Sequence, residues 1–281
     1  MYEYNRLAMT NGRVCILGAG NMGRALIGGL LRGGWRPEQL TVGESQDAAR
    51  DTVARDFGIS AAADNRAALA GAAIVVLAVK PQDVAAVLQP LAAALATVRP
   101  LLLSVAAGVR VAALQALCGS AVPVIRAMPN RPARLGAGAT GVFAPPTVGG
   151  EQRAAAERIL QALGEVFWIP AEELLDVVTA LSGSGPAYFF LLAELMAEAG
   201  TALGLESQLA QRLAAATLYG AGLLAHSGDG NLARLRQEVT STGGTTEAAL
   251  RVLEAADLRA TVRAALDAAT QRGRELAMHA S

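Results

Sequence analysis

The chain has 281 residues, 53% of them hydrophobic and 17% charged, and its 24 basic and 24 acidic side chains cancel to a formal charge of zero. At roughly 100–200 residues per domain this is material for two apolar cores. The balance excludes the basic field of a nucleic-acid binder, and 4% aromatic residues leave few rings for stacking on bases. No nucleic-acid partner is expected.

Two cysteines, Cys15 and Cys118, are too few for a disulfide framework and suit a reducing cytoplasm. Cys15 lies in the apolar run Val14–Leu17, where a buried, inert thiol is expected. His226 and His279 each have one acid within a helical turn, Asp229 and Glu275, but no third or fourth ligand, so no metal is expected. Met1–Gly12 is polar and reads as no signal peptide. Apolar stretches such as Ala67–Val79 fall short of the roughly 18 residues of a membrane span, which points to a soluble cytoplasmic protein.

In chain order, Val14–Leu17 reads as a first strand and Met22–Leu31 as the helix that follows. Leu40–Gly43 is a second strand. Ile74–Val79 and Leu101–Val105 are continuous β-rich runs, as expected of parallel strands covered on both faces. Pro123–Arg126 and Val166–Ile169 add later strands. After Pro170 the pattern turns helical, over Gly185–Leu203, Gln208–Leu224, Leu232–Val239, Thr245–Leu253 and Leu258–Met278. The expected architecture is therefore an α/β domain with a parallel sheet over 12–170 and an all-α domain over 171–281.

Gly18-Ala19-Gly20-Asn21-Met22-Gly23 sits between the first strand and its helix, the context a dinucleotide fingerprint needs. Gly18 allows the tight turn, Gly20 close approach of a pyrophosphate and Gly23 close packing of the helix, whose free N–H groups meet the phosphates. Glu44 follows 21 residues later, at the end of the second strand. A carboxylate there accepts from an adenine ribose and repels a 2′-phosphate, favouring NAD, whereas Ser45 and Arg50 pull the other way. A solvated loop acid is an equal reading, and the choice of cofactor stays open. Lys80, the only lysine in the chain, ends the run Ile74–Val79 at the edge where open parallel sheets bind ligands.

Two glycine-rich clusters interrupt the helical half. Thr179–Tyr188 (TALSGSGPAY) places Pro186 in the first turn of a helix, and its run of small residues suggests close approach by another segment or a ligand. In Ser241–Thr246 (STGGTT), Thr245 or Thr246 can cap the next helix. Ala248 and Ala249 stand three residues on, so no acid is expected to reach back. That leaves helix-start donors open to a small carboxylate, although a plain capped turn explains the same residues. Conventional acid–base sets are absent, which suits a reductase whose cofactor carries the chemistry.

Six segments in order, Ile16–Gly23, Ala78–Gln82 (AVKPQ), Ala106–Val109 (AAGV), Met128–Pro132 (MPNRP), Thr179–Tyr188 and Ser241–Thr246, resemble pyrroline-5-carboxylate reductases. The resemblance implies a Rossmann-like domain followed by a helical dimerisation domain, an active site built across a homodimer, and at times a decamer. It implies NADPH or NADH as cofactor, 1-pyrroline-5-carboxylate as substrate and L-proline as product. By the same resemblance, Gly18, Ala19, Gly20, Asn21, Met22 and Gly23 hold the pyrophosphate, and Ser45 approaches the adenosine ribose or its phosphate, beside the Glu44 read from its position alone. Asn65, Ala78, Val79, Lys80 and Pro81 line the ribose and nicotinamide. Ser184, Gly243, Gly244, Thr245 and Thr246 hold the substrate, with Thr246 and Ser241 nearest the chemistry. Three positions depart from the family pattern: Thr242 stands for a proline, Arg131 for a threonine, and Gly230-Asn231 for His-Pro. A β-hydroxyacid dehydrogenase would need a lysine in the helical half, which this chain lacks. A non-catalytic dinucleotide sensor would need no Ser241–Thr246 cluster, and reduction of another cyclic imine stays open.

Overall fold

The computed structural model describes residues 12–228 and 230–279. The leader reading of Met1–Gly12 (but for Gly12), Asp229 as a partner of His226, and the His279 side chain lie outside the described residues. The chain divides into two compact units: one runs to Gly183 and takes back the chain from Thr270, and the other is Ser184–Ala269.

The first unit is built on one sheet. Its strands among the described residues are β1 (Arg13–Leu17), β2 (Leu40–Gly43), β3 (Ala61–Ala62), β4 (Ala72–Leu77), β5 (Leu101–Ser104), β6 (Val124–Met128), β7 (Gly138–Phe143) and β8 (Gly164–Trp168). They lie in the order β3-β2-β1-β4-β5-β6-β7-β8, and only the β6–β7 pair is antiparallel. The interposed helices are α1 (Asn21–Arg32), α2 (Asp47–Phe57), α3 (Asn65–Leu69), α4 (Val84–Leu88), α5 (Ala92–Val98), α6 (Val111–Cys118), α7 (Gly150–Leu160) and α8 (Leu174–Val178).

Period-two alternation explains why β1 is apolar from Val14 to Leu17. Val14 and Ile16 face one buried cluster with Leu26, Ile27 and Leu30 of α1 and Ile159 and Leu160 of α7. Cys15 and Leu17 face a second cluster with Val84 and Leu88 of α4, Leu95 of α5 and Leu114 of α6. A strand covered on both faces has no solvent side for a polar residue. Each such side chain contributes about 1.5–3 kcal/mol by leaving water.

Strand ends moved from expectation: β1 begins at Arg13, β4 runs from Ala72 to Leu77 rather than from Ile74 to Val79, β5 stops at Ser104, β6 begins at Val124 and runs on to Met128, and β8 begins at Gly164 and stops at Trp168. Two strands were not expected. β3 is two residues long, and β7 carries the glycine-rich Gly138-Ala139-Thr140-Gly141, in which Thr140 is the one β-branched residue. The reason at Gly141 is steric, since a Cβ there would lie 2.6 Å from Val178 Cγ1 of α8. Close approach of α8 decides that residue, and propensity yields to it.

The second unit comprises α9 (Gly185–Ala202), α10 (Ser207–Ser227), α11 (Leu232–Glu238), α12 (Thr245–Ala255) and most of α13 (Leu258–His279). Small residues let α9 and α10 approach along Ala193, Ala197, Ala210 and Ala214. Glu206 starts α10 by accepting from the Gln208 and Leu209 amides at 2.9 and 2.7 Å, which holds its carboxyl below the usual range. Phe189, Phe190, Leu191, Leu192, Leu195 and Met196 of α9 are all exposed in the single chain, the two phenylalanines to 60% and 59%. Contrary to the expectation that no stretch would qualify, the helical run Leu174–Ala202 is long and apolar enough to cross a membrane by length and composition.

Candidate active site

At the carboxyl ends of β1 and β4 the strand order turns back on itself, the place where open α/β sheets bind ligands. The glycine loop leaves β1 there. Gly18 has φ +100°, and a Cβ on it would lie 2.8 Å from both Ala78 O and Val79 Cγ1, so its neighbours and its backbone alike exclude a side chain. A Cβ on Gly23 would run into Gly18 O. The Gly18 amide donates to Gly43 O and the Ala78 amide to Leu17 O, both at 2.8 Å, which fixes the loops after β1, β2 and β4 to one another.

The residues present fit a dinucleotide. α1 begins at an N-cap, Gly20, that offers no side-chain cap, and its first turn carries no acid, so its leading amides face a space that a phosphate can fill. A Cβ on Gly20 would meet nothing within 4 Å. Asn65 opens α3 behind its Asp64 cap and packs against Gly43. Its Oδ1 is buried with no hydrogen-bond partner among the described residues, an acceptor that a ribose hydroxyl can satisfy.

Glu44 is half-buried and reaches back to the glycine loop. Its Oε2 accepts from the Ala19 amide and its Oε1 from the Gln46 amide, both at 2.9 Å. Ser45 is exposed. Arg50 donates to the carbonyls of Glu44 and Ser45 at 2.9 and 2.8 Å and pairs with Asp47. Lys80 is exposed and stands three residues past the end of β4, not at the strand end itself.

The Thr179–Tyr188 cluster is not a simple helix entry. Thr179–Gly183 form a π-helical turn between α8 and α9, with Thr179 and Ser182 hydroxyls donating to the carbonyls of Leu175 and Val178. Pro186 takes the first turn of α9, as expected. Asn130 holds this turn from the sheet side: its Nδ2 donates to Ser182 O at 3.0 Å, and its Oδ1 accepts from the Ala139 amide at 2.9 Å. Met128 Cε lies 3.0 Å from where a Gly183 Cβ would be. Met128 and Asn130 of the MPNRP motif thus clamp the Thr179–Gly183 turn. Asn130 was not among the expected site residues, and its signal was an amide able to donate and accept at once.

A buried ion network underlies the same region and was not read from the sequence. Arg126 is 4% exposed and donates to Glu172 Oε1 at 2.6 Å. The same oxygen accepts from the Val111 amide at 2.7 Å, while Arg110 reaches Glu172 O and Asp176. Burial pulls the Arg126 guanidinium below its usual value, and Glu172 offsets part of that. The network fixes the segment entering α8 to β6 and α6.

Ser184, Ser241 and Gly243–Thr246 belong to the second unit, and the residues of the dinucleotide cradle to the first. The Gly244 amide donates to Ser241 O at 3.0 Å, closing a turn in which Gly243 has φ +70°. The cap of α12 is Gly244, not Thr245 or Thr246. That shift places Glu247 at the third helical position, and its Oε2 accepts from the Gly243 amide at 2.6 Å. An acid therefore does reach back, contrary to expectation, and the Gly243 donor is already engaged. Glu247 was missed because the cap was set one or two residues too late. Asn231 caps α11 by accepting from the Arg234 amide at 3.0 Å, taking over the helix start where the family pattern has a proline.

A family described as pyrroline-5-carboxylate reductase dimerisation matches residues 172–276, and one described as NADP oxidoreductase, coenzyme F420-dependent, matches 13–108. A pyrroline-5-carboxylate reductase of Pseudomonas aeruginosa is 44% identical over 96% of this chain and 98% of its own length. The chain belongs to the pyrroline-5-carboxylate reductase family. The solved reductase from Coxiella burnetii is 39% identical, with a TM-score of 0.91 over 95% of this chain and 99% of that one. The Plasmodium falciparum reductase, solved with NADP bound, is 26% identical, with a TM-score of 0.82 over 96% and 100%. The Rossmann-like sheet and the helical C-terminal half are thus those of the reductase family.

Proposed function

We propose that this chain is an NAD(P)H-dependent oxidoreductase of the CH–NH class, a pyrroline-5-carboxylate reductase that makes L-proline in the last step of its biosynthesis. The observation that carries the reading is the glycine cradle at the switch point, in a chain related to reductases over nearly its whole length. When bound, NADH or NADPH supplies the hydride that adds to the C=N carbon of 1-pyrroline-5-carboxylate.

The chain's own residues bind and orient. Gly18–Gly23 hold the pyrophosphate on the amides of α1, and Asn65 Oδ1 takes a ribose hydroxyl. Ala78, Val79, Lys80 and Pro81 border the nicotinamide end, with Glu44 and Ser45 at the adenosine end. The amides of Thr245 and Thr246 serve the substrate carboxylate, with Ser184 and Ser241 beside them, while the Gly243 and Gly244 amides already donate to Glu247 and to Ser241 O. The Thr246 hydroxyl lies near the imine nitrogen, which takes its proton largely from solvent, since an iminium is the better hydride acceptor and threonine a poor acid. Residues 12–170 form the dinucleotide domain and 171–281 the dimerisation and substrate domain. The working form is a homodimer that can assemble further to a decamer. It is cytoplasmic and needs no metal, nucleic acid or membrane.

The test is oxidation of NADH and NADPH, followed at the nicotinamide absorbance, with and without 1-pyrroline-5-carboxylate. Substrate-dependent oxidation is expected. Cofactor binding without oxidation would turn the reading to another cyclic imine or to a sensor. Thr246→Ala is expected to lower turnover, and turnover left unchanged across pH would remove its assigned role.

A further inference from the structure

Resting on the dinucleotide reading above, the geometry points to Glu44 as the residue that makes this chain select NADH over NADPH. Sequence alone left Glu44 balanced against Ser45 and Arg50, and the structure breaks that tie.

The Glu44 carboxylate is fixed from two sides, by the Ala19 amide on Oε2 and the Gln46 amide on Oε1. A carboxylate has about four acceptor positions, so each oxygen keeps one lone pair free. Two fixed acceptors at the end of β2 suit the adjacent 2′- and 3′-hydroxyls of an adenine ribose, both of which can donate. A 2′-phosphate brings no donor at neutral pH and carries about −1.5 to −2 charges. It would meet a carboxylate that cannot swing aside without releasing the glycine loop.

The cations at this edge do not reverse the field. Arg50 is engaged by two backbone carbonyls and by Asp47. Arg24, in the first turn of α1, pairs with Asp56 at 3.0 Å. Ser45 is exposed and could donate one hydrogen bond to a phosphate, which does not neutralise an adjacent carboxylate.

The experiment measures Kd for NADH and for NADPH by nicotinamide fluorescence on the full-length protein, for wild type, Glu44→Gln and Glu44→Ser. Wild type should bind NADH at least about tenfold more tightly than NADPH, and both variants should narrow that ratio several-fold, chiefly by tightening NADPH. In wild type the ratio should also shrink between 50 mM and 500 mM salt, because the screening length falls from about 14 Å to about 4 Å and repulsion beyond that distance is damped. This arm needs no variant and stands even if the loop tolerates no change at Glu44. Equal or tighter binding of NADPH by wild type would overturn the inference and leave the reductase reading intact. A ratio that neither variant nor salt alters would assign discrimination to another residue and overturn it too. Failure to bind either cofactor would overturn both readings.

Discussion

The two compact units spend their apolar residues in opposite ways. The first sandwiches a sheet between two buried clusters, and Ile16, Leu17, Leu77, Leu102 and Leu103 are shielded from water within a single chain. In the second, the buried hydrophobic cluster consists of three alanines, Ala197, Ala210 and Ala214, while six large apolar side chains of α9 stay exposed. A layered sheet can close its own core. A helix that is apolar all round cannot, and must be covered by something else. On the reading above that cover is a second copy, so one unit carries its stability within the chain and the other carries it between chains.

Breaking the second unit should give the largest effect on activity. Phe190→Glu places a charge in the face that dimerises, weakening association by about 2–4 kcal/mol. Light scattering coupled to gel filtration should then report monomer, and turnover should collapse. A dimer of unchanged affinity would show that the cover lies elsewhere.

Breaking the first unit needs a different lever. Glu172→Ala strands the buried Arg126 guanidinium, at a cost of about 3–5 kcal/mol. The melting temperature should fall without becoming more dependent on protein concentration, whereas a wild-type melting temperature should rise with concentration as a dimer requires.

A third effect sharpens the contrast through pH. Burial pushes the Cys15 thiol up from 9.0 to about 12 and the Cys118 thiol to about 11. A folded-state value above the unfolded one means that the neutral thiol contributes stability in full below about pH 9.0, and the contribution drains as pH rises towards 12. The urea midpoint should therefore fall through that window, and less so in Cys15→Ala. A thiol-specific reagent should leave the native protein unlabelled at neutral pH.

The smallest change is expected in the second unit's turn. Thr242→Pro restores the residue usual in this family at a position that precedes Gly243 and its φ of +70°. It should stabilise by about 0.4–1 kcal/mol through the unfolded state. A destabilised variant would show that the Thr242 amide or side chain is used.

Much of the fold was legible because long periodic segments speak for themselves. The second strand matched at Leu40–Gly43, and all five C-terminal helices appeared within a few residues of expectation. β7 was not legible, since its glycines answer to Val178 across the fold and not to their neighbours in sequence. The tight turn at Gly18 and the close packing at Gly23 could be named in advance, because a strand–turn–helix entry imposes them. Asn130, Glu172 and Glu247 could not. The importance of Asn130 and Glu172 comes from partners 46–61 residues away in Glu172's case and 52 in Asn130's, and Glu247 depends on where one helix begins.

By itself, then, the sequence determined the order of the main elements and the glycine loop between the first strand and its helix, because periodicity and glycine placement act over a few residues. Tertiary structure alone decided that Arg126 would be buried against Glu172, that Asn130 would clamp the π-helical turn, and that Glu44 would face the Ala19 amide with Arg50 already engaged. Those outcomes depend on which strands become neighbours, and a side chain's charge acquires its strength only from the water and partners that the fold takes away or supplies.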